Sequence, residues 1–138
     1  MSEHASHVDY SGKKALVVEN DKKALAVLKE HLEGLKFEVA SAASQAEAET
    51  VIQNQTFDLV ITELILEFTD SGFLFCYKLK KAQPDCKAII LTNAAAKIGL
   101  HFELSSPDAR EWIKADSILE KSIRAEQLDR EIAKIMNR

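Results

Sequence analysis

The feature that most constrains the fold is an alternation of two kinds of segment along 138 residues. Short apolar or β-branched runs fall at 15–18, 37–40, 59–62, 88–91 and 118–119. The first, third and fourth are almost continuously apolar, the pattern of parallel strands covered on both faces. Between them lie segments with helical spacing. Leu25, Leu28 and Leu32 form one apolar stripe, with Lys22, Lys29, Glu30 and Glu33 on the other side. Ser44 followed by Glu47 fits a capping box that opens a helix through Ala46, Ala48, Val51 and Ile52. The segment 73–82 carries Leu74, Phe75 and Leu79 and is closed by Pro84. Ser106-Pro107-Asp108 reads as N-cap, N1 proline and first-turn acid, and Leu128, Ile132 and Ile135 share one face of a last helix. Five strands alternating with five helices predict an α/β fold, a single doubly wound five-stranded parallel sheet with right-handed crossovers and helices on both faces.

Composition narrows the function classes. A chain that is 46% hydrophobic and 29% charged can bury a sizeable core without staples. A net charge of −4, from 18 basic and 22 acidic residues, argues against nucleic acid as a partner. No apolar run approaches the ~20 residues of a membrane span, and the polar start lacks the apolar stretch of a signal peptide. Cys76 and Cys86 lack ligand spacing and read as reduced thiols of a cytoplasmic protein, with Cys76 packed in the core or at its boundary. Residues 1–12 read as a flexible leader in which His4 and His7 are a chance pair, leaving 13–138 as the one domain. The charge-rich stretch 124–130 reads as a solvated helix face. The stretch 93–105 exceeds ordinary connection lengths and is a candidate functional loop.

Open parallel sheets work just beyond the C-terminal ends of their strands. Those ends are Glu19-Asn20-Asp21, Thr62-Glu63, Leu91-Thr92-Asn93 and Glu120-Lys121. Carboxylates on such a rim attract a hard cation such as Mg²⁺, and a lysine and a hydroxyl suit phosphoryl oxygens. The four glycines stand apart, at 12, 34, 72 and 99, so no phosphate-cradling loop exists. His31 and His101 lie in no nucleophilic motif.

Four segments in this order and spacing, 15–21 (ALVVEND), 57–64 (FDLVITEL), 89–93 (IILTN) and 115–122 (ADSILEKS), carry a resemblance. From about Lys14 to Met136 the chain resembles a CheY-like response regulator receiver domain. The resemblance implies a flavodoxin-like sheet of order 2-1-3-4-5. It also implies Mg²⁺-assisted acceptance of a phosphoryl group from a histidine kinase, and switching of a protein partner. By position, Glu63 falls where the family has its phosphoacceptor aspartate, and Glu19 and Asn20 fall on the metal-holding acidic pair. Thr92 falls on the hydroxyl that tracks the phosphoryl group, and Lys121 on the motif lysine. Ile118 falls where many members carry a Tyr or Phe that rotates on activation.

Departures from the family pattern shape the expected function. Glu63 in place of Asp moves the carboxylate by roughly 1.5 Å, and a misplacement of about 1 Å can cost ~100-fold in rate. Asn20 removes a charge from the metal set of Glu19, Asn20 and Glu63, so the Mg²⁺ site is expected to be weakened or lost. Ser122 stands where the family usually has proline, and a trans Lys121–Ser122 peptide with a shifted lysine is expected. Glu67 replaces the usual proline after the acceptor, and the Asp70-Ser71-Gly72 turn is one residue longer than common. The connection from Thr92 to Lys121 is also long, with the surplus in 93–105.

The sequence therefore predicts a receiver in two-component signalling that is not an enzyme. It is expected to stand alone, since the chain ends at the last helix. Phosphorylation-independent binding of a protein partner, a histidine kinase or a downstream effector, is the expected mode. In that reading Glu63 mimics a charged, extended acceptor and pairs with Lys121; the alternative is a solvated carboxylate without a role. The resemblance places partner binding on the face of the fourth helix, fifth strand and fifth helix. Trp112 there, and Phe102 beside His101, either anchor a partner or pack over the loop with Leu100. Two rival readings stand beside this one. The first is a working phosphoacceptor that uses Glu63 or Asp21 with Mg²⁺ and slowly hydrolyses its acyl phosphate. The second is a flavodoxin-like module that binds a small ligand.

Overall fold

Alternation within the first strand sets the layering. Leu16 and Val18 pack on one side with Val60, Ile90 and Phe75, while Ala15 and Val17 pack on the other with Leu59, Ile61 and Ile89. The first strand, like the third and fourth, is thus buried on both faces, and the elements between strands must supply apolar faces to cover the sheet. The computed structural model describes residues 8–94 and 113–137. Its elements are β1 (Lys14–Val18), α1 (Lys22–Gly34), β2 (Glu38–Ala42), α2 (Gln45–Asn54), β3 (Leu59–Thr62), α3 (Ser71–Ala82), β4 (Lys87–Thr92), β5 (Ser117–Glu120) and a C-terminal helix, α4 (Ala125–Met136). The strands are parallel in the order β2-β1-β3-β4-β5.

Helices α2 and α3 cover one face, through Ala48, Ile52, Phe75, Cys76 and Leu79. Helices α1 and α4 cover the other, through Leu32, Leu128, Ile132 and Ile135. The apolar stripe expected of the last helix is thus its buried face. Cys76 and Cys86 are buried free thiols, and burial pushes both up to about 12. Among the described residues, no helix is long and apolar enough to cross a membrane.

Several local details differ from the sequence reading, beyond shifts of one residue at the ends of β1, β4 and β5. β2 runs 38–42 rather than 37–40, because Phe37 turns into the core at the end of α1. α3 begins at Ser71, two residues early, because the Gly72 N–H donates to Leu64 O at 2.8 Å and draws the turn into the helix. Only half of the capping box forms. Ser44 Oγ accepts from the Glu47 N–H at 3.0 Å, but Glu47 Oε1 accepts from the Ala43 N–H at 2.8 Å, not from Ser44. His4, His7, most of the long loop with His101 and Phe102, the expected helix start at Ser106, and Trp112 lie outside the described residues.

Candidate functional site

The order β2-β1-β3 reverses the winding direction between β1 and β3, and side chains at that switch point share one crevice. Pairing sets Val18 beside Thr62, so Glu19 and Glu63 leave adjacent strands at the same level. The Glu63 N–H donates to Val18 O at 2.8 Å and fixes that step. On the other side, Thr92 pairs with Glu120, and the Lys121 N–H donates to Thr92 O at 3.1 Å. The rim residues expected from the strand ends therefore converge.

Lys121 Nζ donates to Glu63 Oε1 at 2.7 Å and lies 2.7 Å from Glu19 Oε1. The second oxygen of each carboxylate is also engaged. Glu63 Oε2 accepts from the N–H groups of Leu64, at 2.7 Å, and Ile65, at 3.1 Å. Glu19 Oε2 accepts from the Asp21 N–H at 2.9 Å. Both acids are buried, with 4% of Glu19 and 7% of Glu63 exposed. Glu63 is thus a tightly partnered group, unlike the solvated carboxylate of the alternative reading.

Burial pushes the Glu63 carboxyl up, but hydrogen bonds from Lys121, the Thr92 hydroxyl and the Ile65 amide outweigh it. With the Lys121 charge they hold the group below its ordinary value. Burial opposes the charged form of Lys121, yet Glu19 and Glu63 raise it above its ordinary value. Glu63 and Lys121 are therefore both charged through the neutral range.

The remaining expected residues divide. Thr92 is buried beside Glu63, and its Oγ1 also accepts from the Ala94 N–H at 3.4 Å. Asn20 is exposed. Asp21 caps α1, its carboxylate accepting from the Lys23 N–H at 3.3 Å. Ile118 pairs with Ile90 in the sheet and packs against the α2–α3 side of the core. No cis peptide occurs among the described residues, so Lys121–Ser122 is trans.

A Mg²⁺ ion needs several hard oxygens free to face it. The oxygens of Glu19 and Glu63 are already taken by one ammonium and three backbone amides. Among the described residues no group of three or more His, Cys, Asp or Glu side chains is placed to hold a metal. This donor set does not fit a hard cation while Lys121 stays between the acids. A cleft of about 530 Å³ opens beside the cluster, between α1 and α4, walled by Ala24, Val27, Leu28 and Leu128.

Sequence reasoning noted Glu67 only as a departure from the family pattern and missed its role. Its Oε1 accepts from the Gln45 N–H at 2.7 Å and its Oε2 from the Ala46 N–H at 2.9 Å. The carboxylate thus ties the β3–α3 loop to the positive end of α2. Burial opposes this charge, but the two amides outweigh it and hold the group below its ordinary value. Gly72 was noted only as part of a long turn, and its steric role was missed too. A Cβ there would lie 2.7 Å from Glu63 O and from Leu64 Cα, so only glycine lets α3 start against the acceptor segment.

A five-stranded 2-1-3-4-5 sheet with acids, a hydroxyl and a lysine at its switch point defines the receiver class. Residues 15–133 match the family described as response regulator receiver domain. The chain belongs to that family, whose members serve two-component signalling. A receiver domain protein from Clostridium thermocellum is 26% identical, covering 91% of this chain and 94% of that one, with a TM-score of 0.74. A CheY-like receiver from Methanospirillum hungatei is 23% identical over 91% and 94%, with a TM-score of 0.73. The response regulator TrrA from Thermotoga maritima, solved in complex with Mg²⁺–BeF, is 24% identical over 89% and 98%, with a TM-score of 0.73. A comparison with curated proteins finds no match.

Proposed function

We propose that this receiver works without phosphorylation, because the Glu63 carboxylate itself occupies the donors that would otherwise hold a phosphoryl group. One observation carries the reading: a single carboxylate collects the Lys121 ammonium and the Leu64 and Ile65 amides. The Thr92 hydroxyl adds a fourth donor to the same group. These are the charge-assisted contacts that phosphoryl oxygens seek. A permanent anion at the switch point keeps the rim in one state, and a protein partner reads that state. The protein would act in the cytoplasm as a binding component of a two-component pathway, not as an enzyme. Mg²⁺ has no role in this reading, since Lys121 supplies the positive charge between Glu19 and Glu63.

The test is intact mass after incubation with acetyl phosphate and Mg²⁺, for the wild type and for Glu63→Asp. The reading expects no adduct on the wild type and a labile gain of about 80 Da on Glu63→Asp. An adduct on the wild type would return the protein to conventional phosphoryl transfer. No adduct on either would mean that the remaining groups cannot receive a phosphoryl group, with Asn20 the next position to restore.

A further inference from the structure

Two features set the β3–α3 loop apart. The first is apolar exposure on a fixed backbone. Ile65 and Phe68 leave 45% and 69% of their surface in water, where apolar area is unfavourable. The loop that carries them is tied down on every side. The Ile65 N–H donates to Glu63, Glu67 grips the first turn of α2, and the Phe68 N–H donates to Ser71 Oγ at 2.9 Å. The Gly72 N–H closes the loop onto Leu64 O. A pinned loop that presents large apolar side chains is a ready-made contact surface, since no ordering cost remains on its side.

The second feature is charge. No Lys, Arg or His stands between Lys36 and Lys78, whereas the same stretch holds seven acids, although the whole chain carries only −4. That stretch builds β2, α2, β3, the β3–α3 loop and the start of α3, so the loop and the adjoining first turn of α2 carry acids and no base; the nearest cation in sequence, Lys78, is paired with Glu49 at 3.2 Å. Glu67 and Asp70 flank Phe68 in the loop, and Glu47 stands on the adjoining first turn of α2. Opposite charge around an apolar centre is the arrangement that selects a partner and speeds its approach.

We infer that Ile65 and Phe68 form a docking surface for a protein segment that presents apolar side chains flanked by Lys or Arg. This names the surface through which the Glu63 reading would act, on the loop that Glu63 holds by a backbone hydrogen bond. The two can fail separately, because the mass measurement tests Glu63 and the following experiment tests the surface.

The full-length, ¹⁵N-labelled protein is titrated with an amphipathic helical peptide of Leu and Lys, and with a matched peptide of Leu and Glu. The Leu/Lys peptide should shift the amides of 65–70 and 45–47, and the Leu/Glu peptide should leave them in place. Phe68→Ala and Asp70→Lys, both at exposed positions, should each raise Kd about tenfold while strand resonances stay unchanged. Equal response to both peptides, shifts centred elsewhere, or an unchanged Kd in Phe68→Ala would overturn the inference. So would a concentration-dependent dimer that Phe68→Ala abolishes, which would assign the patch to a second copy of this chain.

Discussion

One methylene separates Glu63 from the aspartate of its family, and it sets the carboxylate 2.7 Å from the Lys121 ammonium. Burial makes that contact consequential, because removing one member of a buried ionic cluster strands the others. Lys121→Met would leave Glu19 and Glu63 facing each other without a cation, and we expect a loss of about 3 kcal/mol in urea unfolding. Lys121 keeps a fifth of its side chain in water, so the value belongs at the lower end of the range for such deletions. A loss below about 1 kcal/mol would mean that the cluster is solvated. The pH dependence follows from the directions of the two shifts. Glu63 is held below its ordinary value, so its contribution is present above the unfolded-state value and fades as pH falls through the folded-state value. Lys121 is held above its ordinary value, so its contribution is present at neutral pH and fades only as pH rises through that higher value. Thermal melts should therefore be flat near neutrality and fall below about pH 4, and Glu63→Gln should lose most of its share of that acid fall.

At the scale of elements, the loop after β3 is held by contacts that no local pattern announces. Glu67→Ala should cost about 1 kcal/mol, as for a lost helix cap, and should broaden the amides of 65–69, a change that relaxation measurements would detect. Gly72→Ala should cost more, roughly 1–3 kcal/mol, because backbone atoms rather than flexible side chains stand 2.7 Å from the new methyl. The end of α1 offers the opposite case. Lys36 adopts φ 80°, and the N–H groups of Lys36 and Phe37 donate to Glu33 O and Leu32 O, which is a Schellman closure with lysine in the position that favours glycine. Lys36→Gly should raise stability by about 1 kcal/mol. These elements show what sequence could and could not disclose. β3 was legible residue by residue, because Leu59 to Thr62 form a wholly buried run. β2 was less so, since an edge strand is only half apolar and its bounds slip. The tethering role of Glu67 was invisible, since its partners lie 21 and 22 positions away and nothing in an isolated acid tells a tether from a solvated charge.

For the whole molecule, strand order decides which residues meet. Glu19, Glu63, Thr92 and Lys121 come from four strand ends, and the expectation that they share one rim followed from the parallel sheet alone. What strand ends could not give is the pattern of contacts. That Lys121 bridges two carboxylates, and that both second oxygens are capped by backbone, depends on loop paths the sequence does not encode locally. The family resemblance supplied the positions, and the departures at Glu63, Asn20 and Ser122 supplied the reason to expect a different chemistry. The resulting molecule carries its own anion at the switch point and an acid-flanked apolar loop after β3.

The central claim is that Glu63 does structurally what a phosphoryl group would do. The most direct test compares methyl spectra of Ile118, Ile90 and Ile61 in the wild type and in Glu63→Asp, each with and without Mg²⁺ and beryllofluoride. The account predicts that the wild type ignores the additions, and that Glu63→Asp moves toward the wild-type spectrum only when both are present. A wild type that matches untreated Glu63→Asp and shifts on addition would contradict it.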